Sequence, residues 1–95
     1  MSLNKNHVAI GLLIKEHRQL KKISQADLAE KLGYDTAQFI SNIERGVSKV
    51  PLNILGQLIV ILDVPEKKVI QLEMDAFQAI LHEELLDGKR KASGQ

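Results

Sequence analysis

Apolar side chains return at helical spacing along most of the chain. Ile10, Leu13, Ile14 and Leu20, with His17 in register, form one stripe. Leu28, Ala29 and Leu32 form a second, Ile40 and Ile43 a third, and Leu52, Leu55, Ile59 and Leu62 a fourth. No stretch alternates apolar and polar positions long enough to argue a strand, and the Asp87-Gly88 pair follows a helical pattern rather than joining two β-branched runs. The pattern predicts an all-α fold.

Caps and breakers divide that pattern into five helices. The first runs from about Asn6 to Lys22. Ser24 caps the second, Asp27 three residues on completes a capping box, and Gly33 ends it. Thr36 caps a third helix that runs to Arg45 and stops at Gly46. Pro51 suits the first turn of a fourth, which ends near Asp63, and Pro65 opens a fifth in the same way. The fifth meets no breaker before Gly88. Residues 88–95 are polar and are expected to be a disordered tail.

Charge sharpens the picture once the chain is divided. Residues 1–62 carry eight Lys/Arg against five Asp/Glu, and residues 63–95 carry five against seven, although the whole chain is only +1. A basic front and an acidic rear suit a protein that meets phosphate with one side. There is no cysteine, hence no disulfide, thiolate metal site or cysteine nucleophile. His7, His17 and His82 lack metal-ligand spacing, and His17 reads as a packing residue. No glycine-rich phosphate loop, paired-carboxylate site or nucleophile triad is present, so neither an enzyme nor a cofactor is expected. One Tyr and two Phe make no stacking platform for single strands. No apolar run reaches membrane-spanning length, and Met1–Asn4 lacks a basic-then-apolar leader, so a cytoplasmic, non-membrane protein is expected.

Between Ser24 and Gly46 a short capped helix ends in glycine, a turn follows, and a second capped helix carries a polar outer face. Its inward residues Ile40 and Ile43 can pack on Leu28 and Ala29, and Ala29 is small where two helices must cross. The string Ile23-Ser24-Gln25-Ala26-Asp27-Leu28-Ala29-Glu30-Lys31-Leu32-Gly33, followed by Phe39-Ile40-Ser41-Asn42-Ile43-Glu44-Arg45-Gly46, resembles the lambda-repressor/Cro-like helix-turn-helix regulators of the xenobiotic-response-element type. The resemblance covers about Ile10 to Leu72. One departure is visible: Gly33 to Gly46 is one residue longer than the usual family spacing, which shifts the register of the first recognition positions by up to one.

The resemblance implies a five-helix lambda-repressor-like domain with an extended C-terminal helix, and it assigns roles. Residues 1–72 would be the DNA-binding domain, with the motif at about 24–46. Gln38, Asn42, Ala37 and Phe39 would read bases in the major groove. Ser24, Gln25, Ser41 and Lys49 would meet phosphates, the first two helped by the free amides of a helix N-terminus. Arg18 and Glu44 would form a structural ion pair between helices 1 and 3. Other readings stay open. Gln25, Gln38 and Asn42 also suit a solvated surface, and Phe39 either touches a thymine methyl or tucks into the turn beside Tyr34.

The rear carries more apolar surface than one small core can cover. Helix 4 is greasy nearly all round. Helix 5 has two stripes, one of Val69, Leu72 and Ala76, the other of Ile70, Met74, Phe77, Leu81 and Leu85. Residues 73–87 are therefore expected to be a dimerisation extension, with Val60, Ile70, Met74, Phe77, Leu81 and Leu85 in a homodimer interface. The alternative is an intrachain clamp along helix 1. The sequence thus predicts a dimeric repressor of double-stranded DNA with an inverted-repeat operator. Its rivals are an antitoxin-type or phage-type regulator that also binds a protein partner through the C-terminal helix, and an interaction module without DNA binding.

Overall fold

Five helices and no strand make up the described part of the chain. The computed structural model describes residues 5–94, with side chains from His7. The stretch read for a leader, Met1–Asn4, and the last residue of the tail, Gln95, lie outside the described residues. Helix α1 spans Lys5–Leu20, α2 Gln25–Lys31, α3 Gln38–Glu44, α4 Leu52–Leu62 and α5 Glu66–Ala92.

Local chemistry sets most of these boundaries. The Asp27 N–H donates to Ser24 Oγ at 3.0 Å, fixing the start of α2. The Gln38 N–H donates to Thr36 Oγ1 at 3.3 Å, but the N-cap of α3 is Ala37, one residue after the expected cap. Pro51 and Pro65 stand one residue outside their helices rather than in the first turn. Both are extended (ψ 141° and 114°), and their carbonyls accept the first helical bonds, from Leu55 and Val69. Asp63 ends α4 in the left-handed conformation at φ 55°.

The expected stop at Gly88 is not where α5 ends. The helix continues to Ala92, so residues 88–92 are helical and not a disordered tail. Asp87 and Lys91 pair at 3.0 Å across the glycine, and three basic residues follow it in the last turn. Their attraction to the helix dipole and the i, i+4 pair offset the roughly 1 kcal/mol that glycine costs in a helix interior.

Ile10, Leu13 and Ile14 of α1 meet Leu28 and Ala29 of α2, Ile40 and Ile43 of α3, Leu55, Leu58 and Leu62 of α4, and Val69 of α5 in one core. Helix α1 is the spine, touching α3, α4 and α5, while α2 rests on α3. Two glycines set the approach of α1 to α3. A Cβ at Gly11 would lie 2.2 Å from the Ile43 carbonyl oxygen. At Gly46, which has φ +74°, a Cβ would lie 2.7 Å from Val8 Cγ2. Neither position has room for a side chain. The radius of gyration is 16.1 Å, against about 12 Å for a compact chain of this length. The excess is α5, whose last buried residue is Ala76.

Candidate nucleic-acid interface

Helix α3 is short, so its orientation depends on what holds its inner side. Ile40 and Ile43 are fully buried. Glu44 is the one buried charged residue among the described residues, and three donors converge on it. Arg18 Nε donates to Glu44 Oε2 at 2.6 Å and Arg18 Nη2 to Oε1 at 3.1 Å. Gln25 Nε2 donates to the same Oε1 at 2.9 Å. The guanidinium also reaches back, with Nη1 on the Ile23 carbonyl at 2.9 Å. One carboxylate thus ties α1, α2 and the α1–α2 turn to α3. A two-pronged Arg–carboxylate contact fixes angle as well as distance.

The outer face of α3 is polar. Gln38, Asn42 and Arg45 follow at i, i+4 and i+7 and share that face. Gln38 Nε2 donates to Asn42 Oδ1 at 2.9 Å, and Arg45 Nη2 donates to the same oxygen at 2.7 Å. Arg45 is exposed, keeps right-handed helical backbone just past the helix, and makes no ion pair among the described residues. Sequence reasoning did not single it out, because Arg45 sits in the motif's terminal Glu-Arg-Gly. Its i+7 spacing from Gln38 was the available signal.

The other expected readers lie to the sides of this face. Ala37 precedes α3 and is half-buried. Phe39 is half-buried against the core, its ring stacked on Tyr34 with centroids 4.3 Å apart. Of the two readings open for Phe39, the geometry is that of the ring tucked into the turn. Its stacked partner, Tyr34, lies in the turn between α2 and α3.

The expected phosphate contacts are also spread out. Ser24 Oγ accepts the α2 cap bond, which leaves its O–H free to donate. The Gln25 carboxamide is turned inward onto Glu44, spending one of its two N–H groups. Ser41 is half-buried on α3. Lys49 is exposed in the α3–α4 loop, at a cleft it lines with His7, Glu73 and Phe77.

At the rear, Ile70, Met74, Phe77, Leu81 and Leu85 are between 45 and 61 % exposed and run along one side of α5. Ile70 and Met74 border an apolar groove with Leu52, Leu55 and Ile59 of α4. Val60, 77 % exposed, lies apart from the groove, on a neighbouring surface with Asn53 and Gln57. The intrachain clamp is realised only in the first part of α5, through Val69 and Ala76. From Phe77 onward every described residue is exposed.

Asp63 and Lys21 form a second link between α1 and the end of α4. The hydrogen bond and positive charge of Lys21, with a lesser contribution from His17, hold the Asp63 carboxyl below its ordinary range. Among the described residues no cluster of His, Asp or Glu could hold a metal ion, and no helix is long and apolar enough to cross a membrane.

The arrangement is a firmly seated short helix with a polar outer face, resting on a second short helix. A family profile described as helix-turn-helix matches residues 14–69, more than half of the chain. No curated protein and no solved structure matches it.

Proposed function

The chain belongs to the lambda-repressor/Cro-like helix-turn-helix family of DNA-binding regulators, and on that footing we propose that it is a sequence-specific transcriptional repressor acting as a homodimer. The observation that carries the reading is the outer face of α3. Gln38 and Arg45 stand exposed on it with half-buried Asn42 between them, while the Arg18–Glu44 pair holds its inner side. A major groove about 12 Å wide admits such a helix, and these side chain types pair with base edges there. Ser24, Ser41 and Lys49 supply phosphate contacts, which set position without reading sequence. Ala37 and Phe39 contribute apolar surface beside the reading face. The work is binding rather than catalysis, and it is done in the cytoplasm, where the regulator meets DNA.

Dimerisation rests on the unpartnered stripe of α5 and its groove with α4. A second copy suits that face. Its apolar run is bordered by charges of both signs at each end, Glu66, Lys67 and Lys68 at the start and Asp87, Lys89 and Arg90 at the other, so the stripe itself is what a second copy covers. Residues 73–87 then serve as the dimerisation extension of a DNA-binding domain at 1–72. Two-fold symmetry places two α3 helices about one helical turn of DNA apart and calls for an inverted-repeat operator.

In vitro selection from a random duplex library tests the reading. The expected product is an inverted repeat with half-site centres about 34 Å apart, or a multiple of that. Binding that stays equal on selected and random duplex would overturn it.

A further inference from the structure

We infer that Arg45 is the specificity-determining residue of α3 and that the base it selects is guanine. The inference deepens the regulator reading and rests on it. Its basis is the pair of hydrogen bonds that converge on Asn42 Oδ1, from Gln38 Nε2 at 2.9 Å and from Arg45 Nη2 at 2.7 Å. A carboxamide oxygen has two lone pairs, and both are engaged. An asparagine reads adenine by accepting from N6 while donating to N7. Asn42 has no acceptor left for that pairing and offers only the two N–H bonds of Nδ2.

What remains on this face is dominated by donors. Arg45 spends one N–H on Asn42 and keeps four of the five that a guanidinium carries. Gln38 retains its oxygen as the lone acceptor. Guanine is the base that shows two adjacent acceptors, N7 and O6, in the major groove, and a two-pronged arginine matches them. Asn42 serves as an anchor that holds the guanidinium over the groove-facing side of α3. No acidic side chain competes for it among the described residues. The exposure of Arg45 also means that replacing it leaves the core untouched.

The test is duplex selection at physiological salt with the full chain and with Arg45→Ala and Arg45→Lys. The wild type should select G·C at one fixed position in each half-site. Arg45→Ala should lose discrimination at that position alone, by roughly 5- to 150-fold. Arg45→Lys keeps the charge and should preserve the salt dependence of binding, yet lose most of the same discrimination, because an ammonium lacks the planar fork. Equal weakening on every sequence with Arg45→Ala, together with rescue by Arg45→Lys, would make the residue a phosphate contact and overturn the inference. Retained guanine preference in Arg45→Ala would overturn it too. In both cases selective binding by the wild type would leave the regulator reading standing, whereas a wild type that binds no duplex selectively removes both.

Discussion

Helix α3 and the distal half of α5 are each exposed along one face, but only α3 is held on the other. Behind α3 are two fully buried isoleucines and a carboxylate with three donors from α1 and α2. Behind α5 beyond Ala76 the described residues supply only one open cleft, where His7, Lys49 and Leu52 approach Phe77 and Ile80. The exposed faces differ in the same sense: α3 shows Gln38, Asn42 and Arg45, whereas α5 shows Phe77, Leu81 and Leu85. A polar face that must read a ligand profits from a fixed seat, since looseness there is lost discrimination. An apolar face without a seat is the kind of surface that marks interaction sites. The fold sets a seated element and a largely unsupported one on the same helix, α1.

The sharpest way to break this contrast is to unseat α3. Glu44→Ala leaves the Arg18 guanidinium, whose side chain is only 12 % exposed, with its Ile23 carbonyl and no counter-charge. The expected loss is about 3 kcal/mol in urea or thermal unfolding, far above the ~0–1 of a surface pair. A melting curve that does not move would show that the hydrophobic contacts of Ile40 and Ile43 seat the helix alone.

The next effect belongs to the other side. Phe77→Glu combined with Leu81→Lys places two charges in the α5 stripe, at positions 61 % and 45 % exposed. Folding stability of the single chain should change by no more than about 0.5 kcal/mol, since neither side chain is in the core. Sedimentation should turn a micromolar dimer into a monomer, and binding to an inverted repeat should fall about a hundredfold through lost bivalency. A wild-type chain that sediments as a monomer at these concentrations would assign the stripe to a different protein, as the antitoxin-like rival requires.

The contrast also marks how far the residues alone could be read. Short-range chemistry was legible: Ser24 with Asp27, Gly33 and Gly46 after their helices, and prolines 51 and 65 at helix starts all act within four residues. The two stripes of α5 were legible as well, because burial and exposure follow the 3.6-residue period. Of the contacts that depend on which helices meet, Arg18 with Glu44 followed from the resemblance and others did not. Gly11 reads as a plain helix residue until α3 lies against it, and Lys21 and Asp63 are 42 positions apart. Gly88 misled for a different reason. A glycine is a weak stop signal, and Asp87, Lys91 and the basic last turn outweighed it. In the candidate site Gln38 and Asn42 followed from the motif and Arg45 did not, although its hydrogen bond to Asn42 spans the ordinary i, i+3 spacing of a helix.

The smallest effect probes the seam between α1 and α4, where Lys21 at the end of α1 meets Asp63 at the end of α4. Asp63→Asn is the clean variant, because asparagine tolerates the left-handed backbone at φ 55° and only the charge is lost. Lys21 lowers the carboxyl below its ordinary value of 3.8, so the folded chain binds its proton less readily than the unfolded one. The stabilisation is therefore complete above that ordinary value and disappears as the pH falls through the lower folded value. The difference in melting temperature between wild type and Asp63→Asn should be small and constant from neutral pH down to about 5, then shrink toward zero below about 4. Every other carboxylate titrates alike in both proteins, so it cancels in the difference. High salt should shrink the neutral-pH difference too, since both side chains are largely in water. A difference that persists undiminished into strong acid would show that Asp63 acts through its backbone conformation alone. The α1–α4 seam would then owe nothing to charge and everything to the apolar packing around Leu62.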